Sequence, residues 1–157
     1  MSVEPIPAGY HSVTPYLVCS GAARALDFYA KAFGAEELMR MPGPDGKVMH
    51  AEFRIGNSPI MISDESLEMG FKSPATLGGA GVSLMIYVKD CDAVFGRAVA
   101  SGAKVRKPLA DQFYGDRSGN ITDPFGHSWT IATHVEDVAP AEMERRMQEV
   151  MKTGQPG

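Results

Sequence analysis

The chain has 157 residues, 44% of them hydrophobic and 22% charged, a composition typical of one globular domain that can bury its own core. The formal net charge of −4 and the pI near 5.5 argue against a nucleic-acid-binding protein, because binding to phosphates needs clustered Lys and Arg. No basic N-terminal segment precedes an apolar run, and no run of 18 apolar residues occurs, so we expect a soluble, cytoplasmic protein with no membrane partner.

The first half of the chain predicts a strand, a helix and then further strands. We place the first strand at residues 13–19 and the helix at residues 22–33, where apolar side chains recur at helical spacing. Ser20 is available to cap the start of this helix, and Gly34 stands where a left-handed residue would end it. Two more strands, joined by a glycine turn, are predicted within residues 49–64.

A connection and a second set of elements follow in the same order. Residues 65–81 end in TLGGAG, a tract typical of a mobile linker. We then predict a strand at residues 82–88 and a helix at residues 92–100, with Asp90 or Asp92 as its N-terminal cap. Further strands follow that helix, and the last turn lies in the segment ITDPFGHSWTI.

The two halves repeat one pattern. The glycines that end the predicted helices, Gly34 and Gly102, lie 68 positions apart (34 to 102), and the turn glycines Gly56 and Gly126 lie 70 apart (56 to 126). Each half is therefore a β-α-β-β-β module.

The repeat defines a domain organisation of the α+β class. Module one covers about residues 12–64, residues 65–81 connect the modules, and module two covers about residues 82–134. An amphipathic helix is predicted at residues 138–152, and all these parts form a single domain over residues 1–157.

The motifs are similar, in their order, to those of the vicinal oxygen chelate superfamily, also called the glyoxalase/bleomycin resistance/dioxygenase superfamily, and most closely to its PhnB-like branch. They read TPYLVCSGAARALDFYAKAFGAEE, MHAEFRIGNSPIMISDE, YVKD, DQFYGDR and DPFGHSWTIATH. The resemblance covers about residues 12–134 and the THVEDVAPAEMERR segment that follows. It implies two curved mixed sheets around a cleft, a homodimer, and a small-molecule ligand.

Metal-dependent members of this superfamily hold a divalent ion with His, Gln or Glu on the first and last strands of each module. The corresponding positions here are Thr14, Ile60, Ser83 and Thr130, none of which carries a strong metal donor. We therefore expect no metal cofactor and interpret His127 as a turn or solvent-facing residue. A strand register displaced by one residue would turn another set inward, so a divalent metal ion stays open as an alternative.

His50 and Glu52 are the candidate catalytic residues. They share one face of a strand, and Asn120 lies 70 positions after His50 (50 to 120) in the repeat. If that face lines the cleft, an imidazole, a carboxylate and an amide converge there and can orient a polar ligand or transfer a proton. The alternative is a histidine bonded within the sheet and a glutamate in solvent.

The remaining ligand-binding candidates come from the cleft strands and from the loop DQFYGDR. The loop mixes aromatic and charged side chains, which suits a small polar or aromatic ligand; alternatively it is a folded cap in which Asp111 or Asp116 pairs with Arg117. Trp129 is interpreted as core or pocket wall. The full set of ligand-binding candidates is Thr14, Tyr16, Asn120, Trp129, Thr130, Phe113, Tyr114 and Arg117.

Three functions are compatible with these residues. The first is a metal-independent protein that binds a small polar or aromatic molecule in a dimer cleft. The second is a metal-dependent lyase, thiol transferase or dioxygenase of the same superfamily, or an enzyme that uses His50 and Glu52. The third is a non-catalytic interaction dimer whose working surface is the C-terminal helix.

Overall fold

A computed structural model of the protein describes residues 2–154. Module one contains four strands and one long helix: β1 (Tyr16–Cys19), α1 (Ala22–Phe33), β2 (Glu36–Pro42), β3 (Val48–Ile55) and β4 (Ser58–Asp64). A short helix of the connecting segment, α2 (Pro74–Leu77), precedes module two. Module two and the C-terminal helix comprise β5 (Ser83–Tyr87), α3 (Cys91–Ala100), β6 (Lys104–Asp111), β7 (Asp116–Thr122), β8 (Ser128–His134) and α4 (Pro140–Thr153).

Each module forms its own four-stranded mixed sheet. The strand orders are β1-β4-β3-β2 and β5-β8-β7-β6, and in both sheets the first strand runs parallel to the last strand of its module. The other pairings are antiparallel. The predicted α+β fold of two β-α-β-β-β modules with a C-terminal helix is confirmed.

Helix α1 begins differently from the prediction. Ser20 does not cap it; instead, the backbone amides of Gly21 and Ala22 donate to Asp64 Oδ1 at 2.9 and 3.0 Å. The last strand of the module thus supplies a carboxylate to the positive end of the helix, which satisfies two amides that have no partner within the helix. The prediction of an Asp cap on α3 is confirmed, because Asp90 Oδ1 accepts from the amide of Ala93 at 3.0 Å.

The connecting segment contains local structure. Ser66 and Phe71 form an isolated antiparallel bridge, and Ser73 caps the short helix α2. The fully buried hydroxyl of Ser73 donates to Glu65 Oε2 at 2.8 Å. The connecting segment, which its composition predicts to be a linker, therefore contains a network of hydrogen bonds between its own side chains.

One hydrophobic core serves both modules. Tyr29 of α1 stacks on Phe53 of β3, with ring centroids 5.2 Å apart, and also packs against Trp129 of β8 at 5.3 Å. Phe33 of α1 contacts the same indole at 4.9 Å. Because α1 packs on a strand from each sheet, the two modules cannot separate without exposing this aromatic cluster.

Asp123 is the polar centre of that core. Its carboxylate is 4% exposed and accepts four hydrogen bonds, from Tyr29 Oη at 2.6 Å, Trp129 Nε1 at 2.9 Å, and the amides of Phe125 and His127 at 2.8 and 3.0 Å. Burial, followed by the nearby charge of Asp123, raises the pKa of Tyr29 well above its ordinary value. The carboxylate thus joins α1 of module one to the last turn of module two.

His127 adds a second link between the modules. It lies in the turn as predicted, but it is half-buried, and its Nε2 atom is 3.0 Å from the carbonyl oxygen of Val18 in β1.

The free cysteines Cys19 and Cys91 are buried, and desolvation raises the pKa of Cys19 to about 12. Within the described part of the chain, no helix is long and apolar enough to span a membrane.

We expect Asp123→Ala to lower the free energy of unfolding by about 3 kcal/mol or more, because it leaves buried donors without an acceptor. Tyr29→Phe removes only one of the four donors and should cost about 1 kcal/mol. Urea unfolding monitored by the fluorescence of Trp129 measures both changes.

The matched control is Asp27→Ala, which removes a carboxylate from the exposed face of α1 and should change stability by less than about 0.5 kcal/mol. A loss for Asp123→Ala no larger than that of the control would contradict the role of Asp123 as a structural centre.

Candidate functional site

His50 and Glu52 lie on the open face of the first sheet. Their neighbours Ala51 and Phe53 are fully buried, and Phe53 packs against α1. Since successive side chains of a strand point to opposite faces, His50 and Glu52 point away from the helix. Both are half-buried, so other side chains partly cover them.

Four side chains form a continuous hydrogen-bonded chain on this face, which we call the Tyr-His-Glu cluster (Tyr10, Tyr16, His50 and Glu52). Tyr16 Oη lies 2.9 Å from His50 Nδ1, and His50 Nε2 lies 3.1 Å from Glu52 Oε1. Tyr10 donates its hydroxyl to the other carboxylate oxygen of Glu52. Phe71 stacks on the ring of Tyr16, with centroids 6.5 Å apart.

Strand register explains why these residues meet. In the first sheet, Tyr16 pairs with Met61, and Met61 pairs with Glu52, so the three side chains form one cross-strand row on the open face. His50 lies two residues before Glu52 on the same strand and therefore on the same face. Tyr10 reaches the row from the segment before β1, where its amide donates to the carbonyl of Pro7 at 3.0 Å.

The pKa shifts of Glu52 and Tyr10 indicate which groups of the cluster donate hydrogen bonds and which accept them. The hydrogen bond from Tyr10, followed by that from His50, holds the pKa of Glu52 below its ordinary value. The same bond to Glu52, with some burial, raises the pKa of Tyr10 to about 12. Glu52 is therefore an ionised acceptor at neutral pH, and the Nε2 atom of His50 carries the proton between them.

This arrangement leaves His50 Nδ1 as the acceptor for the Tyr16 hydroxyl. A neutral imidazole has one donor nitrogen and one acceptor nitrogen, so the proton on Nε2 fixes the role of Nδ1. Tyr16 is 45% exposed, and its hydroxyl is the outer end of the chain. Nδ1 of His50 is thus the nitrogen that can accept a proton from a ligand, while the hydrogen bond to Glu52 orients the ring.

A cavity of about 340 Å³ adjoins the cluster. Tyr16 forms part of its wall, and Leu77, Val82 and Leu84 provide an apolar lining. The amine of Lys72 and the imidazole of His127 are polar groups in the same wall. Thr14, predicted as a ligand-binding residue, is half-buried two residues before β1.

Asn120 and Thr130 lie together, but not with His50. Asn120 Nδ2 donates to Thr130 Oγ1 at 3.1 Å, and its other acceptors are Ser128 Oγ and the carbonyl of Trp129. All these partners belong to β8, and within the described residues Asn120 forms no hydrogen bond with His50 or Glu52. Asn120 pairs with Thr130 as Glu52 pairs with Met61, which makes Asn120 the counterpart of Glu52, not of His50.

Two predicted ligand-binding residues lie away from the open faces. Trp129 is completely buried in the core against Tyr29 and Phe33, because it neighbours Thr130 and therefore points to the opposite side of β8. Arg117 faces α3, where its Nε and Nη2 atoms each donate to Asp92 at 2.8 Å.

The loop DQFYGDR forms a folded cap, the alternative reading of this segment. Arg117 Nη1 donates to Asp111 Oδ1 at 3.2 Å. Phe113 and Tyr114 pack edge to face with centroids 5.3 Å apart. The carbonyl of Phe113 accepts from Arg146 of α4, which ties the loop to the C-terminal helix.

The donor set does not fit the metal site of the superfamily. The strand pairing corrects one predicted position: Met61, not Ile60, corresponds to Thr130, and Ile60 is buried on the helix side. With this correction the four positions carry Thr14, Met61, Ser83 and Thr130, without an imidazole or a carboxylate. Across residues 2–154, no group of three or more His, Cys, Asp or Glu side chains could hold a metal ion.

A second polar cluster escaped prediction. Asp116 is 3% exposed and accepts from Tyr87 Oη at 2.8 Å, and its other oxygen lies 2.8 Å from His134 Nδ1. His134 Nε2 lies 2.8 Å from Asp137 Oδ1. The hydrogen bond to Asp137, followed by that to Asp116, raises the pKa of His134. Sequence spacing gives no signal for this cluster, because its members come from β5, β7, β8 and the segment after β8.

We expect the imidazole of His134 to titrate above its ordinary value of about 6.5 in an NMR pH titration. Because the folded-state pKa is raised, its contribution to stability is complete below the unfolded-state value and is lost as the pH rises through the folded-state value. Asp137→Asn should lower this pKa, whereas Asp27→Asn, an equal change of charge on α1, should not. An unchanged pKa in Asp137→Asn would show that the contact has no role in the titration.

Comparisons with known proteins agree with this architecture. Residues 10–131 match the Glyoxalase/Bleomycin resistance protein/Dioxygenase superfamily. The uncharacterized protein Rv0887c of Mycobacterium tuberculosis is 45% identical over 150 residues, which cover 94% of this chain and 85% of that protein. The crystal structure of the Arabidopsis thaliana gene product At5g48480 superimposes with a TM-score of 0.64 at 28% identity, over 78% of this chain and 98% of that one.

A PhnB protein from Bacillus cereus shares the fold, with a TM-score of 0.63 at 22% identity, over 78% of this chain and 99% of that one. The matched region contains both modules, with the Tyr-His-Glu cluster on the open face of the first and the Asn120 and Thr130 pair on that of the second. The protein belongs to the Glyoxalase/Bleomycin resistance protein/Dioxygenase superfamily.

Proposed function

We propose that the protein binds a small polar or aromatic molecule at the Tyr-His-Glu cluster and the adjoining 340 Å³ cavity. The observation that carries the proposal is the hydrogen-bonded chain from Tyr16 through His50 to an ionised Glu52 on an open sheet face. Titratable side chains that are joined by hydrogen bonds outside the hydrophobic core are typical of a binding or catalytic site.

The cluster favours a ligand with both an oxygen acceptor and an aromatic or apolar part. The Tyr16 hydroxyl can donate to a carbonyl or phenolate oxygen of the ligand when it turns from His50 Nδ1. The stacked rings of Tyr16 and Phe71 offer an aromatic surface, and Leu77, Val82 and Leu84 offer an apolar wall.

The ligand cleft belongs, in this proposal, to a homodimer. The open faces of the two sheets carry exposed apolar side chains, among them Met41, Met85 and Tyr87, and a second copy of the chain would cover them. Asn120 and Thr130 would line the same cleft from the face of module two, since within one chain they lie on a different sheet from His50.

Proton transfer is the chemistry that the cluster supports, so an enzymatic role rests on His50 as the base and Glu52 as its positioning residue. The metal-dependent lyase, thiol transferase and dioxygenase alternatives need donors that Thr14, Met61, Ser83 and Thr130 do not supply. The interaction-dimer alternative rests on α4, whose Met147 and Met151 are exposed.

The metal alternative is tested by elemental mass spectrometry of untagged protein purified without chelator. We expect less than about 0.1 equivalent of nickel, zinc, manganese or iron per chain, because neutral hydroxyls and thioethers do not replace imidazole or carboxylate donors. Near one equivalent, lost on dialysis against chelator, would favour a metal-dependent reaction instead.

The binding site is tested with a panel of small aromatic carbonyl and phenolic compounds, detected by thermal shift and quantified by calorimetry. For compounds that bind, Tyr16→Phe should weaken affinity by about fivefold to tenfold, the worth of one hydrogen bond. His50→Ala should weaken it at least as much, because it also removes the partner that orients Tyr16.

The matched control is Tyr114→Phe, which removes a phenol from the folded cap and should leave affinity unchanged. Two outcomes would contradict the site: no compound stabilises the wild-type protein, or Tyr16→Phe and Tyr114→Phe bind equally well. Size-exclusion chromatography with light scattering tests the dimer separately.

A further inference from the structure

A larger cavity, of about 740 Å³, lies outside the Tyr-His-Glu cluster and shares none of its residues. It opens between the start of β6, the end of β7, the start of β8, and a glycine-rich stretch of the connecting segment that we call the glycine strap (Gly78, Gly79 and Ala80). Its volume is within the range of pockets that hold whole small-molecule ligands.

The charge of the cavity wall is positive. Lys104 and Arg106 of β6 both line it, and neither forms an ion pair with any described carboxylate. Five other arginines of the described chain do pair with carboxylates: Arg40, Arg54, Arg117, Arg145 and Arg146. Two neighbouring cations without a carboxylate partner are available to bind an anion.

The one carboxylate in the wall forms no ion pair with these cations. Asp123 lines the cavity but is buried, and its two oxygens already accept four hydrogen bonds from the core and the turn. The other polar side chains of the wall are neutral: Asn120, Thr122 and Ser128. Hydroxyls and amides of this kind supplement cations in holding an oxyanion.

The glycine strap leaves room beside these groups. A Cβ atom added to Gly78 or Gly79 would meet no atom within 4 Å, so the strap borders open space. Backbone without side chains lets an anion approach its amides closely. Phe125 and Pro124 form an apolar part of the same wall, which can contact the body of an organic ligand.

From this combination we propose a second binding site, for an organic oxyanion, in the cavity between the glycine strap and module two. Lys104 and Arg106 bind the phosphate, phosphonate or carboxylate group, with Asn120, Thr122 and Ser128 as neutral partners. The apolar or aromatic body of the ligand packs on Phe125 and Pro124. The site contains none of the four residues of the Tyr-His-Glu cluster, but its cavity shares Gly79 and Ala80 with the 340 Å³ cavity, and it shares Asn120 with the proposed dimer cleft.

The test compares phenyl phosphate, benzoate and phenol by NMR titration of the ¹⁵N-labelled full-length protein. Both anions should give saturable shifts at the amides of Gly78, Thr122 and Ser128, which line this cavity and not the 340 Å³ cavity, whereas phenol should not. Tighter binding of phenyl phosphate than of benzoate would identify a phosphoryl group as the preferred oxyanion, and the reverse order a carboxylate.

The double variant Lys104→Gln/Arg106→Gln should weaken anion binding by about tenfold, since it removes both charges and keeps hydrogen-bonding capacity. The control Lys31→Gln/Lys89→Gln makes the same change in net charge at two exposed lysines outside the cavity, and it should change affinity by less than about twofold. Both pairs are exposed, so both variants should fold.

Three results would overturn the proposal. The first is the absence of saturable shifts with either anion up to about 10 mM, where a millimolar Kd already gives substantial occupancy. The second is an equal loss of affinity in the two double variants, which would indicate a general effect of net charge. The third is a set of shifts confined to residues outside the cavity.

Discussion

The fold depends on one buried carboxylate. An ionised group taken out of water is tolerated only when hydrogen bonds compensate for the lost hydration, and Asp123 receives four of them. Two donors, from Tyr29 and Trp129, belong to different modules, and two are amides of the turn that Asp123 begins. Because these donors satisfy one group, α1, the turn and β8 must reach their positions together, which couples the assembly of module two to that of module one.

The orientation of the open sheet faces follows from the aromatic core. Trp129 is held inside by Asp123, Tyr29 and Phe33, so its neighbour Thr130 must point to the open face. The stacking of Phe53 on Tyr29 has the same consequence for Glu52 in the first sheet. The open faces that carry the candidate sites are therefore determined by packing on their reverse sides.

Patterns local in the sequence predicted the fold well, and contacts between distant residues account for what they missed. The repeat and the helical spacing were sufficient to place α1 at its observed bounds, Ala22–Phe33. Its cap was not predictable, because Asp64 lies 42 positions from the amide of Ala22. The choice of Ile60 over Met61 failed because the run PIMI is apolar throughout, and such a strand gives no alternation from which to assign its faces.

The two modules keep one backbone plan but carry different chemistry at equivalent points. The row Tyr16, Met61 and Glu52 of module one corresponds to Met85, Thr130 and Asn120 of module two. The ionised carboxylate of Glu52, with His50 beside it, thus has the neutral amide of Asn120 as its counterpart. This difference leaves the strand pairing unchanged, because the pairing depends on backbone groups alone. A duplicated scaffold of this kind can therefore maintain a row with titratable side chains on one sheet and a neutral row beside unpaired cations on the other. Neither row contributes to the core that both modules share.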